Sequence, residues 1–477
     1  MRPLWNHQVD AIRMAENREN LALLMDMGTG KSRTCIEILR RKYAKHGKIL
    51  KTLILSPIVV CENWKKEFAL YSKINQNDIL VLTDSGDARV KKMMSWVGDD
   101  LSRAKVIVTN YHAMTMLNFF GLLCRYEFEV LVCDESQRLK NPTGKMAKAV
   151  AALSDKARYK YILTGTPVLN SPMDLFQQYR ILDGGETFGK NFFGFRATFC
   201  EDKNSKRSGT TGYFPKWEVR EAMLPVLASK IAPSSVRVLK SECLDLPPMI
   251  RQVIPVTLSA QQKRLYKEMR DEYIAFVDDL KKSDQPRTIT AQIAATKALR
   301  LQQIVSGYAA VEQSDNAQIL EDVPRLKILG ELLEDITPGH KVIVWSVFRA
   351  NYKMIKDLCE KLKIESTELH GAISAKQKEE NMHKFRTDPK CRVMIANQGA
   401  GGIGVNLVEA SYAIYYSKGF SLEHDLQSEA RNYRGGSEIH EKITRIDLIA
   451  PETIDELITT ALEKKQNVSE QILDWRI

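Results

Sequence analysis

The sequence predicts an α/β protein of two lobes, each built on a mainly parallel sheet with helices on both faces. Short apolar runs that suit buried strands alternate with segments of helical spacing in both halves of the chain. At 477 residues the chain exceeds the length at which a single hydrophobic core stops growing, so two large domains are expected. Leu246-Pro247-Pro248 interrupts the alternation, which places the hinge between the lobes near residues 240–250.

The predicted boundary assigns residues 1–245 to the N-terminal lobe and 246–477 to the C-terminal lobe. Within the first lobe, an insertion at about 184–245 breaks the pattern and clusters phenylalanines before a polar stretch. Basic and aromatic residues together could bind nucleic acid, but the preferred interpretation is a small helical insertion that packs its own phenylalanines. Residues 259–312 should be mainly helical, with 287–298 between two helical runs.

Net charge, cysteine spacing and the length of the apolar runs exclude several classes of protein. The net charge of +11 and a pI near 9.1 permit a polyanionic partner such as nucleic acid without requiring one. Eight cysteines occur without any Cys-x-x-Cys pair, which disfavours a zinc ribbon or a disulfide framework and fits a reducing compartment. No apolar run approaches the ~18 residues of a membrane span, and early charges interrupt the N-terminus. We therefore expect a cytoplasmic protein without membrane contact.

A glycine-rich turn follows the first predicted strand. Residues 23–32 read Leu-Leu-Met-Asp-Met-Gly-Thr-Gly-Lys-Ser, and helical spacing begins after them. Glycines let backbone N–H groups face an anion, and the helix adds its positive end. Lys31 is placed for phosphates and the Ser32 hydroxyl for Mg²⁺. A strict P-loop has glycine in place of Met25, so this stretch alone leaves a glycine-rich helix start as the alternative. The predicted nucleotide contacts are Gly28, Thr29, Gly30, Lys31 and Ser32.

Two adjacent carboxylates end another apolar strand, Val130-Leu131-Val132-Cys133-Asp134, which continues into Glu135. In open α/β sheets ligands bind outside the carboxyl ends of strands. Asp134 is therefore predicted to bind Mg²⁺ and Glu135 to polarise an attacking water. An exposed acidic turn is the alternative, but the pair follows a phosphate loop within the same alternation of strands and helices.

Two other polar positions fit the same edge of the sheet. A Gln amide donates to and accepts from one base edge at once, so Gln8 is a candidate for reading adenine, although a polar residue at a helix start is the simpler alternative. Residues 161–163 form a strand that ends in Thr164-Gly165-Thr166, whose small hydroxyl residues suit sensing the nucleotide.

These stretches resemble the motifs of Swi/Snf-type ATPases of helicase superfamily two, in a compact prokaryotic or phage-like form. The resemblance covers nearly all of the chain outside 184–245. It rests on an ordered set of motif segments, which are residues 26–32, 134–141, 163–171, 370–371, 400–407 and 427–434. It implies two tandem RecA-like lobes, ATP and Mg²⁺ as cofactors, and DNA as partner. Three positions differ from the residues that are usual in the family: Gln137 stands where His is usual, Ser32 where Thr is usual, and Phe420 where Trp is usual.

Arg431 and Arg434 are three residues apart, so on a helix both guanidinium groups would face the same side. A basic helix face in solvent is the alternative. The resemblance favours arginine fingers for the γ-phosphate, which contribute on the order of 10³–10⁵ in rate. It also assigns Gln137 and Gly404 to the nucleotide.

The resemblance implies translocation along duplex DNA rather than strand separation. The alternatives are a helicase that separates or anneals strands, and a nucleotide-switched DNA-binding scaffold with little turnover. Contacts to the phosphate backbone predict weak sequence preference and strong salt dependence. No chromatin-reading module is evident, which suggests a bacterial or phage-infected cytoplasm. The candidate DNA contacts lie at strand ends and in loops: Lys65, Thr109, Ser346, His370, Gly401, Asn406 and Phe420.

Overall fold

The computed structural model of the chain describes residues 3–84, 86–97, 105–205, 215–243, 245–282, 287–310, 317–399 and 405–473. The chain forms two compact units. Of the described residues, the first contains those up to 205, 215–243 and 465–473, and the second contains those from 245 to 464. The sequence placed all of 246–477 in the second lobe, whereas the described residues from 465 onward group with the first unit.

The main sheet of the first unit has seven strands, all parallel, with β7 and β8 forming a separate antiparallel hairpin. The strands are β1 (Asn20–Met25), β2 (Thr52–Ser56), β3 (Ile79–Leu82), β4 (Val106–Asn110), β5 (Val130–Asp134), β6 (Tyr159–Leu163), β7 (Cys200–Asp202), β8 (Trp217–Val219) and β9 (Ser235–Val238). Their order in the main sheet is β3-β4-β2-β5-β6-β1-β9, so the ends of β1, β6 and β5 are neighbours.

Helices connect these parallel strands and cover both faces of the sheet. They are α1 (Asn6–Glu16), α2 (Lys31–His46), α3 (Cys61–Tyr71), α4 (Gly86–Val97), α5 (Leu117–Tyr126), α6 (Lys145–Ser154), α7 (Asp174–Asp183), α8 (Phe192–Phe199), α9 (Leu224–Ile231) and α10 (Lys240–Cys243). Alternate residues of β1 enter two different cores: Leu21 and Leu23 face one cluster, and Ala22 and Leu24 face the other. Burial on both faces explains why the strands are continuous apolar runs.

The insertion near 184–245 packs its phenylalanines internally. Phe195 and Phe199 are buried in the core of the first unit, and Phe188 meets both rings at centroid distances of 5.1 and 5.9 Å. Phe193 alone of the four clustered phenylalanines is exposed, and the guanidinium of Arg196 lies 5.2 Å from its ring. The insertion therefore stays a prediction, although the described phenylalanines pack internally as the preferred interpretation expected, and residues 235–238 of the range form β9 of the main sheet.

The second unit contains a six-stranded sheet, also all parallel, and a short antiparallel pair formed by β11 and β12. The strands are β10 (Met249–Pro255), β11 (Tyr308–Ala310), β12 (Ala317–Ile319), β13 (Lys341–Trp345), β14 (Glu365–Leu369), β15 (Cys391–Ala396), β16 (Ala410–Tyr415) and β17 (Ile443–Ile449). The order of the six is β10-β17-β16-β13-β15-β14. The predicted mainly parallel α/β class is thus observed in both units.

The helices in this half of the chain are α11 (Ala260–Lys282), α12 (Arg287–Val305), α13 (Pro324–Ile336), α14 (Arg349–Lys361), α15 (Ala375–Thr387), α16 (Leu422–Glu429) and α17 (Ile454–Leu473), whose last residues belong to the first unit. Residues 287–298 were expected to connect two helical runs, but they form most of α12 itself. None of the helices in the described part of the chain combines the length and the apolar character that a membrane span requires.

Candidate nucleotide site and nucleic-acid interface

The loop between β1 and α2 has the backbone geometry of an anion cradle. Gly28 and Gly30 have φ angles of 88° and 86°, a left-handed conformation that strains residues with a Cβ. A Cβ on Gly30 would also lie 2.3 Å from Nε2 of Gln8. Thr29 is buried, and its hydroxyl donates to the carbonyl of Asp26 at 2.8 Å, which fixes the turn. The two glycines are therefore required here on steric grounds.

Two of the predicted nucleotide contacts also support this loop. The ammonium group of Lys31 donates to the carbonyls of Met25 at 2.9 Å and Asp26 at 3.3 Å. Gln8 is fully buried; its Nε2 donates to the carbonyl of Gly30 at 3.4 Å, and its Oε1 accepts from the backbone N–H of Trp5 at 3.0 Å. Reading adenine would require Gln8 to exchange these partners, so that role stays a prediction.

Asp134 and Glu135 lie at the carboxyl end of β5, as predicted. Asp134 is 5% exposed, and Oδ2 of its carboxylate accepts from the indole N–H of Trp64 at 3.0 Å. Its main-chain carbonyl accepts from the hydroxyl of Tyr111 at 2.6 Å. Burial and the neighbouring Glu135 raise the pKa of Asp134 to about 7, although the charge of Lys31 opposes the shift. Lys31 and Asp134 are thus electrostatic partners.

Gln137 bridges Glu135 to the end of β6. Its Nε2 donates to Oε2 of Glu135 at 2.7 Å, and its Oε1 accepts from the hydroxyl of Thr164 at 2.7 Å. The same hydroxyl oxygen accepts from the backbone N–H of Thr166 at 3.0 Å. Because an amide both donates and accepts, Gln137 joins the carboxylate to the Thr164 turn while remaining neutral at any pH.

The oxygen atoms at this edge of the sheet suit a hard divalent cation. Ser32 lies in the first turn of α2 and offers a hydroxyl, and Asp134 offers a carboxylate; Mg²⁺ prefers such ligands and usually binds through one or two carboxylates together with phosphates and water. Among the described residues, no group of three or more His, Cys, Asp or Glu side chains is placed to hold a metal ion without other ligands. The residues present therefore fit Mg²⁺ bound together with a nucleotide.

The two arginines of the second unit do not lie on a helix, which corrects the expectation from their spacing. Helix α16 ends at Glu429, and both residues follow it in a turn. Nη1 of Arg431 donates to the carbonyl of Val405 at 3.2 Å, while the backbone N–H of Leu407 donates to the Arg431 carbonyl at 2.9 Å. Arg434 is half-buried, and loss of solvent around its guanidinium lowers its pKa.

A buried ion cluster fixes α16, the helix that precedes these arginines. Arg445 on β17 donates to Asp425 at 2.8 Å, to Glu429 at 3.0 Å and to Asp447 at 3.1 Å. Its guanidinium carbon also lies 4.0 Å from the ring centroid of Tyr415. Burial would raise the pKa of Asp447, but the charges of Arg445 and Lys418 outweigh it and hold that pKa below its ordinary value.

The structure separates the candidate DNA contacts into groups. Thr109 and Ser346 are fully buried; the Thr109 hydroxyl donates to the carbonyl of Leu82, and the Ser346 hydroxyl bonds to Asn351 and Ser417. These two predictions are corrected, because burial removes both side chains from any contact with DNA. Gly401 and Gly404 lie outside the described residues.

The remaining DNA candidates keep some exposure. Lys65 and Asn406 are half-buried, and Phe420 is exposed. His370 is 7% exposed, and its ring stacks on that of Tyr352 with centroids 4.6 Å apart. These four side chains remain predicted contacts.

Comparison with known proteins identifies the family. The SNF2-related domain matches residues 7–306, and the helicase conserved C-terminal domain matches residues 324–436. The first match covers more than half of the 477 residues. The chain belongs to the SNF2 family. The predictions of superfamily-two membership and of two RecA-like lobes are thereby confirmed.

Individual SNF2 relatives match most of this chain at low identity. The CHD3-type chromatin-remodeling factor PICKLE of Arabidopsis thaliana is 23% identical over 97% of this chain and 34% of that protein. The DNA repair and recombination protein RAD54B of Homo sapiens is 24% identical over 95% of this chain and 52% of that protein. The chain thus spans about a third to a half of the length of these two relatives.

A solved structure is also similar to this SNF2 chain. It is the Sulfolobus solfataricus SWI2/SNF2 ATPase core in complex with dsDNA, which is 23% identical and covers 99% of this chain and 93% of that one with a TM-score of 0.44.

Sequence reasoning missed several residues that hold the SNF2 motifs in place. Trp64 and Tyr111 hold Asp134, and Arg237 forms an ion pair with Asp26 of the phosphate loop at 3.2 Å. Each contact joins residues far apart in the chain, so no local spacing reveals it. The only available signal is that Trp64 and Tyr111 each follow a predicted strand whose end faces the same edge of the sheet.

Proposed function

We propose that this SNF2 chain is a DNA-dependent ATPase that couples ATP hydrolysis to movement along duplex DNA. The observation that carries the proposal is the buried connection from Glu135 through Gln137 to Thr164, at the end of the strand beside β1. The bridge holds the carboxylate that would orient water and joins it to the turn after a second strand. A motor requires such a link between its reacting centre and its moving parts.

Each residue of the nucleotide site has a role in this proposal. The backbone N–H groups of the glycine loop, together with Lys31, bind the phosphates. Ser32 and Asp134 would hold Mg²⁺, which supplies charge neutralisation for the phosphoryl oxygens. Glu135 orients the attacking water and accepts its proton, and Arg431 and Arg434 would stabilise charge on the γ-phosphate.

The DNA-binding side chains in the proposal are Lys65, His370, Asn406 and Phe420. Three of them are polar or charged, and phosphate contacts give affinity without reading base sequence. The net charge of +11 favours the same polyanion. We therefore expect similar affinity for unrelated duplexes and steep weakening of binding as salt is raised.

The decisive experiment measures steady-state ATP hydrolysis without nucleic acid and with single-stranded DNA, duplex DNA or RNA. Strong stimulation by duplex DNA that Lys31→Ala abolishes supports the proposal, and displacement of a triplex strand then tests movement. Stimulation by single strands or RNA alone would favour a strand-separating or annealing helicase. Binding of duplex DNA without turnover under any condition would favour a nucleotide-switched scaffold.

Magnesium binding to the ADP complex should weaken as the pH falls below about 7. Burial raises the pKa of Asp134 to about 7, so below that pH the carboxyl group holds a proton that Mg²⁺ must displace, and above it the carboxylate is free. The expected loss of apparent Mg²⁺ affinity is up to about tenfold per pH unit. Titration of Mg²⁺ against a fluorescent ADP analogue at several pH values measures it. With Asp134→Asn this contribution should vanish, which leaves only the weakening that comes from protonation of the terminal phosphate of ADP, whose second pKa is about 6.

Gln137 can be tested with two substitutions. Gln137→Ala leaves Glu135 and the Thr164 hydroxyl without their shared partner, and should lower kcat by about tenfold or more. Gln137→His restores a bridge while the imidazole is neutral, so kcat should approach the wild-type value near pH 8. Below about pH 6.5 imidazolium cannot accept from Thr164, and activity should fall. A kcat–pH profile for Gln137→His that matches wild type throughout would contradict the bridging role.

A further inference from the structure

Helix α3 approaches the metal-binding carboxylate from beside the sheet. Trp64 is 1% exposed, and its indole N–H donates to Oδ2 of Asp134 at 3.0 Å, although 70 residues separate the two in the chain. The strand before α3 is β2, which pairs directly with β5. An indole has one donor and no acceptor, so this bond gives the carboxylate one defined orientation.

The bond belongs to a rigid arrangement. Trp64 packs in the hydrophobic cluster between α2, α3 and the sheet, with its ring centroid 6.2 Å from that of Phe68 one turn later. Near the start of α3, the hydroxyl of Ser56 and the thiol of Cys61 lie 3.3 Å apart. From the opposite side Tyr111 holds the main-chain carbonyl of Asp134. The carboxylate is therefore fixed by groups that follow two other strands, β2 and β4.

The next residue on α3 is Lys65, a half-buried cation among the proposed DNA contacts. Consecutive helical residues point about 100° apart, so one short helix presents Lys65 on one side and the indole of Trp64 on another. Because a helix moves as a rigid body over so few residues, a shift of the α3 backbone on phosphate binding at Lys65 would also move the indole.

We propose that Trp64 is a positioning residue that transmits DNA contact at α3 to the orientation of the Asp134 carboxylate, and so to the affinity of the site for Mg²⁺ with nucleotide. The inference rests on the proposed function, because it requires that DNA binds at α3. It extends that function by naming a route within the first unit from DNA to the metal ligand.

The test measures metal binding without turnover. Mn²⁺ replaces Mg²⁺ as a paramagnetic probe, and its affinity for the ADP complex is measured by electron paramagnetic resonance with and without a short duplex. We expect duplex DNA to raise the Mn²⁺ affinity of wild-type protein. Trp64→Phe should weaken Mn²⁺ binding without DNA by about tenfold, the effect of one hydrogen bond to a charged group, and should remove the enhancement by DNA.

Trp345→Phe is the matched control. Trp345 is also fully buried, but its indole N–H has no hydrogen-bond partner among the residues that the structure describes, so this substitution removes the same ring volume without a contact to a carboxylate. Its Mn²⁺ affinity should match wild type with and without DNA. If Trp64→Phe keeps the wild-type enhancement by DNA, or if wild type shows none, the inference is overturned.

A measurement on the wild-type protein covers the case in which Trp64→Phe does not fold. The chain has six tryptophans, so ¹⁵N-tryptophan labelling gives six indole N–H resonances. One of them should shift when ADP with Mg²⁺ is added, and shift again with duplex DNA; if none responds to both, the inference fails. Stimulation of ATP hydrolysis by duplex DNA is measured separately. The proposed function can therefore be supported even if this inference is contradicted.

Discussion

Glu135→Gln is expected to lower kcat for ATP hydrolysis by at least about a hundredfold, because removing a positioned general base typically costs 10²–10⁴ in rate. The affinity for ATP should change by less than about threefold, since the amide keeps the size of the carboxylate and an oxygen that can accept from Gln137. Hydrolysis at saturating duplex DNA and binding of a fluorescent ATP analogue measure the two quantities.

Glu127→Gln is a control of matched chemistry and backbone. Glu127 also has a positive φ, 51° against 54° for Glu135, but it is exposed at the end of α5. Its substitution should leave kcat at the wild-type value. Equal activity of the two variants would show that Glu135 does not take part in the reaction.

Arg445→Met is expected to destabilise the second unit by about 3–5 kcal/mol, the usual cost of removing one partner from a buried ion pair. Arg445 is 3% exposed; without it Asp425 loses its contact with a buried cation, and Asp447 keeps only its contact with Lys418 at 3.2 Å. Hydrogen exchange of peptides from β16 and β17, followed by mass spectrometry, measures the free energy of opening in this part of the chain.

Arg251→Met removes a different cation from the same cluster and serves as the control. Its side chain donates to Glu429 at 2.6 Å but is 51% exposed, so solvent screens the pair and the expected cost is below about 1 kcal/mol. If hydrogen exchange of these peptides changed equally in both variants, burial of Arg445 would add nothing to its contribution to stability.

The parts of the fold and site that could be predicted from the sequence are those encoded locally. A strand, a glycine turn and a helix start are contiguous in the chain, so the phosphate loop is where the pattern placed it. The same holds for the acidic pair at the end of β5. Continuous apolar strands also identify parallel sheets covered on both faces.

What could not be predicted depends on contacts between distant residues. The spacing of Arg431 and Arg434 suggests a helix, but the carbonyl of Arg431 bonds to Leu407, which diverts the backbone into a turn. Thr109 and Ser346 occupy strand ends as expected, yet packing buries them completely. The local sequence pattern predicts where a strand ends. It does not predict which side chains at that end remain accessible to solvent.

The hydrogen bonds of Lys31 and Gln8 bear on how strongly a nucleotide can be held. Both side chains already bond to backbone carbonyls of the phosphate loop, so a nucleotide that engages them exchanges hydrogen bonds rather than adding new ones. Exchange contributes little net enthalpy. The heat released on binding should therefore be smaller than the number of final contacts suggests. The side chains that would bind a nucleotide thus also hold the backbone of the loop in place before one binds.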